Sequence, residues 1–157
     1  MKARQPEIKQ PDIVERRRAA AVSGYQHDEP AARGGLADPA GDVRATALGA
    51  LQRMGRLEAD DVEKALRDPD PVVRRRACEV SAPVPLGRLV GALGDPEQLV
   101  VEGACFALGE RGENSDGATD AVSALSRVAV SHKDPLCREA AIAALGAIGD
   151  PAGLSAI

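Results

Sequence analysis

The chain has 157 residues, a net charge of -4 and only two aromatic residues, Tyr25 and Phe106. An acidic chain lacks the basic face that nucleic acid requires, and no run approaches the ~18 apolar residues of a membrane span, so neither nucleic acid nor a membrane is expected as a partner. Cys78, Cys105 and Cys137 form no metal-spaced pair, so no metal or cofactor is expected, and an odd, scattered set suits reduced thiols in the cytoplasm. With 29 alanines, and 16 Arg against 4 Lys, the composition points to closely packed helices. Behind Met1 and Lys2 no apolar stretch follows, so no secretory leader is expected.

Residues 1–11 are expected to form a flexible lead, and one repeat domain occupies 12–157. The first unit, 12–36, contains Arg16-Arg17-Arg18-Ala19-Ala20-Ala21-Val22-Ser23, which recurs as Arg74-Arg75-Arg76-Ala77-Cys78-Glu79-Val80-Ser81 with six of eight positions identical. This unit has Glu15 where others carry Val or Cys, and only a short second piece near 30–36, so it reads as a cap. In the second unit, 38–66, Val43, Ala47 and Leu51 recur at helical spacing, and a second helix is expected over 58–66. In the third, 68–93, Val73, Ala77 and Ser81 do the same, followed by a helix over 86–93. The fourth, 95–131, has Val101 in place of the repeat arginine. Its polar insertion, 113–117, is expected to be mobile, and a helix follows over 118–130. The fifth, 134–157, has a full first helix over 135–148, and Asp150-Pro151 then opens a second that stops after about one turn.

Anchored on a central alanine, the units align at Ala19, Ala47, Ala77, Ala104 and Ala141, with steps of 28, 30, 27 and 37 residues. Asp-Pro stands ahead of four units, where the carboxylate suits a helix start and Pro suits the first helical position. Gly109 with Gly112, and Gly146 with Gly149, read as helix stops. A period near 30 with two helices per unit predicts stacked hairpins.

The series Asp-Pro, Val-Arg, Ala, Ala-Leu-Gly, best kept in 134–149, 68–82 and 38–51, resembles the HEAT-repeat family, and most of all the short bacterial phycobilisome-lyase HEAT-like repeat. The resemblance implies an all-α fold, an α-solenoid in which antiparallel helical hairpins stack into a right-handed superhelix. It implies a non-catalytic scaffold for protein–protein interaction or assembly, with a protein or peptide partner. The alternative it leaves is a HEAT-like lyase of the bilin-lyase type, or an accessory subunit of one. No nucleophile elbow, phosphate loop or dinucleotide loop is present, and neither His27-Asp28 nor His132-Lys133 forms the His-Glu pair of iron-dependent HEAT-like hydroxylases.

Arg44, Arg74 and Arg138 share one repeat position. They read either as an arginine ladder for an anion or as structural pairs with the aspartate at a neighbouring helix start, and the repeat spacing favours pairing. The triplets at 16–18 and 74–76 spread around their helices and read as solvated surface. Cys78 and Cys105 should lie on adjacent first helices as free, buried thiols. In the family the second helices line the concave face. That places Glu58, Asp61, Lys64, Arg88, Asp120 and Arg127 on a mixed, mostly acidic face that reads either as a groove for a basic peptide or as plain solvated surface. At the C-terminal edge, Leu145 and Ile148 are expected to be only partly covered. With Leu154 and Ile157 they would offer an apolar end for self-association, or for further repeats if the chain is a fragment.

Overall fold

A computed structural model describes residues 12–111 and 117–156. Among them are nine α-helices and two 3-10 turns, with no strand. In chain order they are α1 (Ile13–Gln26), α2 (Glu29–Gly35), α3 (Gly41–Met54), α4 (Ala59–Ala65), α5 (Pro71–Glu79), α6 (Leu86–Val90), α7 (Gln98–Arg111), α8 (Ala118–Ser131) and α9 (Pro135–Ile148). The 3-10 turns cover Gly91–Gly94 and Pro151–Ala156. The expected flexible lead and most of the expected mobile insertion lie outside the described residues.

Side chains start the helices. Asp12 accepts from Glu15 N–H while the Glu15 carboxylate accepts from Asp12 N–H, so Glu15 replaces an apolar residue in order to close a capping box. Asp134 accepts from Leu136 and Cys137 N–H with Pro135 at the first helical position, as expected. Asp70 likewise accepts from Val72 N–H ahead of Pro71 at the start of α5, whereas the Asp-Pro pairs at 38–39, 68–69 and 95–96 lie further out. Asp38, Asp68 and Asp95 accept from the N–H two residues on and shape the turn, and the helices begin at Gly41, Pro71 and Gln98.

The first helices α1, α3, α5, α7 and α9 pack side by side, and each second helix leans on the first helix that follows it. The result is an all-α solenoid of stacked hairpins. Ala47, Ala77, Ala104 and Ala141 are all 0 % exposed at these crossings, because only a small side chain lets two helix backbones come this close. The first anchor needs correcting: Ala19 is exposed and Ala20 is buried. Only α3 packs along α1 among the first helices, so its buried face turns to Ala20, Ser23 and Gly24.

Gly109 does not end its helix. It lies inside α7, and a Cβ there would stand 3.1 Å from the Ala144 Cα of α9. Gly24 plays the same part at 2.9 Å from the Ala50 Cα. Gly146 is likewise inside α9, and the stop is Gly149, in the left-handed conformation at φ 74°. The helix expected over 86–93 is a five-residue helix continued by a 3-10 turn, in a stretch punctuated by Pro85, Gly87, Gly91 and Gly94. The largest core cluster runs from Cys78 to Ile148 and is built on Leu86, Leu89, Leu108, Leu125 and Leu145.

The C-terminal edge also differs from expectation. Leu145 and Ile148 are buried at 2 % and 4 % exposure. The turn at Pro151–Ala156 folds back over α9, bringing Gly153 against the Leu145 side chain. The side chains of Leu154 and Ile157 lie outside the described residues.

Candidate interaction surfaces

A ladder of arginine–aspartate rungs ties successive hairpins together. Arg16 reaches Asp38 at 2.9 Å, Arg44 reaches Asp68 at 2.6 Å, and Arg74 reaches Asp95 at 2.7 Å. Arg44 also donates to the Asp38 and Pro39 carbonyls, and Arg74 to those of Asp68 and Pro69, so each guanidinium bridges the start of its own helix to the next. Hydrogen bonds from Arg16 and the Ala40 N–H hold Asp38 below the usual carboxylate range, and Arg74 does the same for Asp95. At Asp68 burial pushes upward, but the Arg44 and Asp70 N–H hydrogen bonds outweigh it. These arginines are structural pairs, as their spacing suggested.

The ladder then breaks at both ends of one rung. Val101 replaces the arginine, and His132 stands where the acid would be, nine residues ahead of the central alanine. The His132 Nδ1 instead accepts from Asp134 N–H. Arg138 departs from expectation. It keeps the carbonyl bonds, to His132 at 2.8 Å and Lys133 at 3.3 Å, but no carboxylate meets it among the described residues. The next aspartate, Asp150, caps the following turn through Ala152 N–H.

The residues expected on the second-helix face fall into separate groups. Glu58 and Asp61 both hold Arg33, at 3.0 and 3.2 Å, and Arg33 also bonds Glu29 and the Arg56 carbonyl, clamping α2 to the start of α4. Lys64 pairs with Asp60 one turn back, and Arg88 pairs with Glu63, linking α6 to α4. Asp120 and Arg127 do come together, on the rim of a shallow groove of about 710 Å³ that also exposes Val90, Ser123 and Ser126.

The opposite layer exposes what sequence reasoning missed. Tyr25 is 70 % exposed and Phe106 65 %, so both aromatic residues of the chain lie on the surface of first helices. Val72, Leu99 and Leu136 are also exposed, each five residues ahead of its central alanine, and on α1 Val14 is exposed six ahead of the buried Ala20. The repeat therefore writes an apolar stripe across α1, α5, α7 and α9, broken at α3 by Asp42. That shared offset was the signal available in the sequence. Beside the stripe α1 and α5 carry Arg17 and Arg75, α7 and α9 carry Glu102 and Glu139, and the matching position of α3 is the buried Ala45. Near Phe106 and Leu99 a groove of about 450 Å³ opens, and there the Glu102 Oε1 is buried with no hydrogen-bond partner among the described residues.

Cys78, Cys105 and Cys137 are free and buried. Burial pushes the Cys78 and Cys105 thiols up to about 12 and raises Cys137 as well, so all three act as small core residues.

Two hydrophobic-faced helices per unit, small residues at each crossing and an interlocking polar ladder define a helical-repeat protein. Residues 86–157 match the family model for HEAT repeats, so that stretch is similar to HEAT-repeat proteins. No curated protein matches it.

Proposed function

We propose that the chain is a non-catalytic interaction scaffold, a single repeat domain over 12–157 working in the cytoplasm with its thiols reduced. The observation that carries this reading is the exposure of both aromatic residues. A chain with two rings gains most by burying them, since each can remove ~150–250 Å² from water. Leaving both outside, on the layer that also exposes Leu99 and Leu136, is how a surface keeps anchors for a protein partner. The second-helix set Glu58, Asp61, Lys64, Arg88, Asp120 and Arg127 forms a second candidate surface. Its usable part is the Asp120–Arg127 groove, since the other four are occupied by ion pairs, Lys64 within its own helix and the rest between helices.

The test is quantitative co-purification from the native lysate. Phe106→Asp should remove the retained partner, while Val130→Asp, an equally exposed site on α8, should keep it. Equal retention by both variants, with both folded by circular dichroism, would overturn the assignment of the first-helix layer.

A further inference from the structure

The first-helix layer is not uniform in charge. At its N-terminal end α1, α3 and α5 enclose an open groove of about 730 Å³. Its lining brings Arg17 and Arg18 from α1, Arg53 from α3 and Arg76 from α5 against a single carboxylate, Asp42. Consecutive arginines do diverge as helical geometry requires, and Arg16 leaves for Asp38. Arg17 and Arg18 nevertheless both border the groove, and neighbouring helices complete the cluster. Neither enters an ion pair among the described residues. Arg53 lies over the Tyr25 ring, 4.2 Å from its centroid, with no carboxylate partner among the described residues. Arg76 is paired with Glu79. Three guanidinium groups therefore face solvent uncompensated on a chain whose net charge is -4.

Ile13, Val14 and Tyr25 line the same groove, so its walls are apolar and its rim is cationic. We infer that this groove binds an acidic segment of a protein partner, with carboxylates on Arg17, Arg18 and Arg53 and apolar side chains against Ile13, Val14 and Tyr25. Arginine forks fit carboxylates with two parallel hydrogen bonds, and the exposed apolar side chains Ile13, Val14 and Tyr25 reward side chains that a sugar–phosphate backbone does not carry. The groove holds a single ring, with Arg53 over one of its faces, and so offers no run of platforms for successive bases. Residues 1–11 carry Lys2, Arg4 and Lys9 against Glu7 alone, so the chain's own lead does not supply the missing negative charge.

This inference rests on the scaffold reading and adds to it the chemistry of the partner. It is tested by fluorescence anisotropy with the full chain and three labelled probes: an alternating Glu/Leu peptide, its Lys/Leu counterpart and a single-stranded oligonucleotide. The Glu/Leu peptide should bind best, weaken with salt, and lose about tenfold or more in affinity in the Arg17→Glu, Arg53→Glu double variant. Lys133→Glu, an exposed charge between α8 and α9 that does not line the groove, should bind it as the parent chain does. Circular dichroism checks that both variants keep their helices. Tighter binding of the Lys/Leu peptide or the oligonucleotide overturns the inference, as does absence of binding or an equal loss in Lys133→Glu. Formation of a dimer that the Glu/Leu peptide fails to displace also overturns it, assigning the groove to a second copy. If the peptide fails while Phe106→Asp still releases a partner, the scaffold reading stands and only the acidic ligand falls.

Discussion

Ala77 has no exposed surface where α5 lies between α3 and α7, so a larger side chain there has nowhere to go. Ala77→Leu should overpack the crossing and cost roughly 1–3 kcal/mol, and an unchanged melting temperature would contradict the crossing. Glu102 presents the opposite case. Its buried, unpartnered Oε1 carries a desolvation cost that an apolar side chain of similar length does not, so Glu102→Met should stabilise the chain by about 1 kcal/mol. A lower melting temperature would show that the carboxylate has a compensating partner. The thiols add a pH dependence. Unfolded cysteines ionise near 9.0, whereas Cys78 and Cys105 are held at about 12 when folded. The raised folded values mean that their contribution is whole below pH 9.0 and is lost as pH rises toward 12. The triple variant Cys78→Ala, Cys105→Ala, Cys137→Ala should therefore lose less stability than the parent chain over that interval. Periodicity made most of these buried positions legible, because the face holding Val73, Ala77 and Ser81 repeats from unit to unit. It misplaced Ala19, where a one-sided neighbour rotates the buried face. It was silent on Phe106, because a pattern that says what a helix buries does not say what it leaves outside.

Helix starts and the ladder belong together at the level of elements. Arg74 spans from the Asp68 and Pro69 carbonyls to Asp95, so Arg74→Ala cuts a strap between hairpins and should cost about 1–2 kcal/mol. Arg138 makes only the carbonyl bonds, so Arg138→Ala should cost markedly less; equal losses would mean that the carboxylates contribute nothing. The rung acids Asp38, Asp68 and Asp95 are held below their ordinary 3.8, so their contribution is present above that pH and disappears as pH falls through the lowered values. Loss of helical signal on acidification should accordingly be shallower in an Arg44→Ala, Arg74→Ala double variant. Nearly every hairpin was legible from its Asp-Pro and alanine spacing. The α6 segment was not, because its glycines carry no signal that separates a weak α-helix from a 3-10 turn. Arg138 also escaped, since a repeat position states what a residue is prepared to bind and not whether the partner stands opposite.

Across the whole molecule, the two helical layers divide the work. The second helices spend their charges on one another: Arg33 on Glu58 and Asp61, Arg88 on Glu63. The first helices pack tightly inward through alanine and outward expose an apolar stripe flanked by arginine at one end and glutamate at the other. A net charge of -4 hides this division, which is why a mostly acidic groove on the second helices was the natural expectation from sequence. The most direct test is site-specific photo-crosslinking in the native cell, with a photoreactive phenylalanine placed in turn at Phe106, Tyr25, Val130 and Arg88. The scaffold account predicts one and the same protein adduct from Phe106 and Tyr25, with little or none from Val130 and Arg88. Adducts from the second-helix positions alone would contradict it.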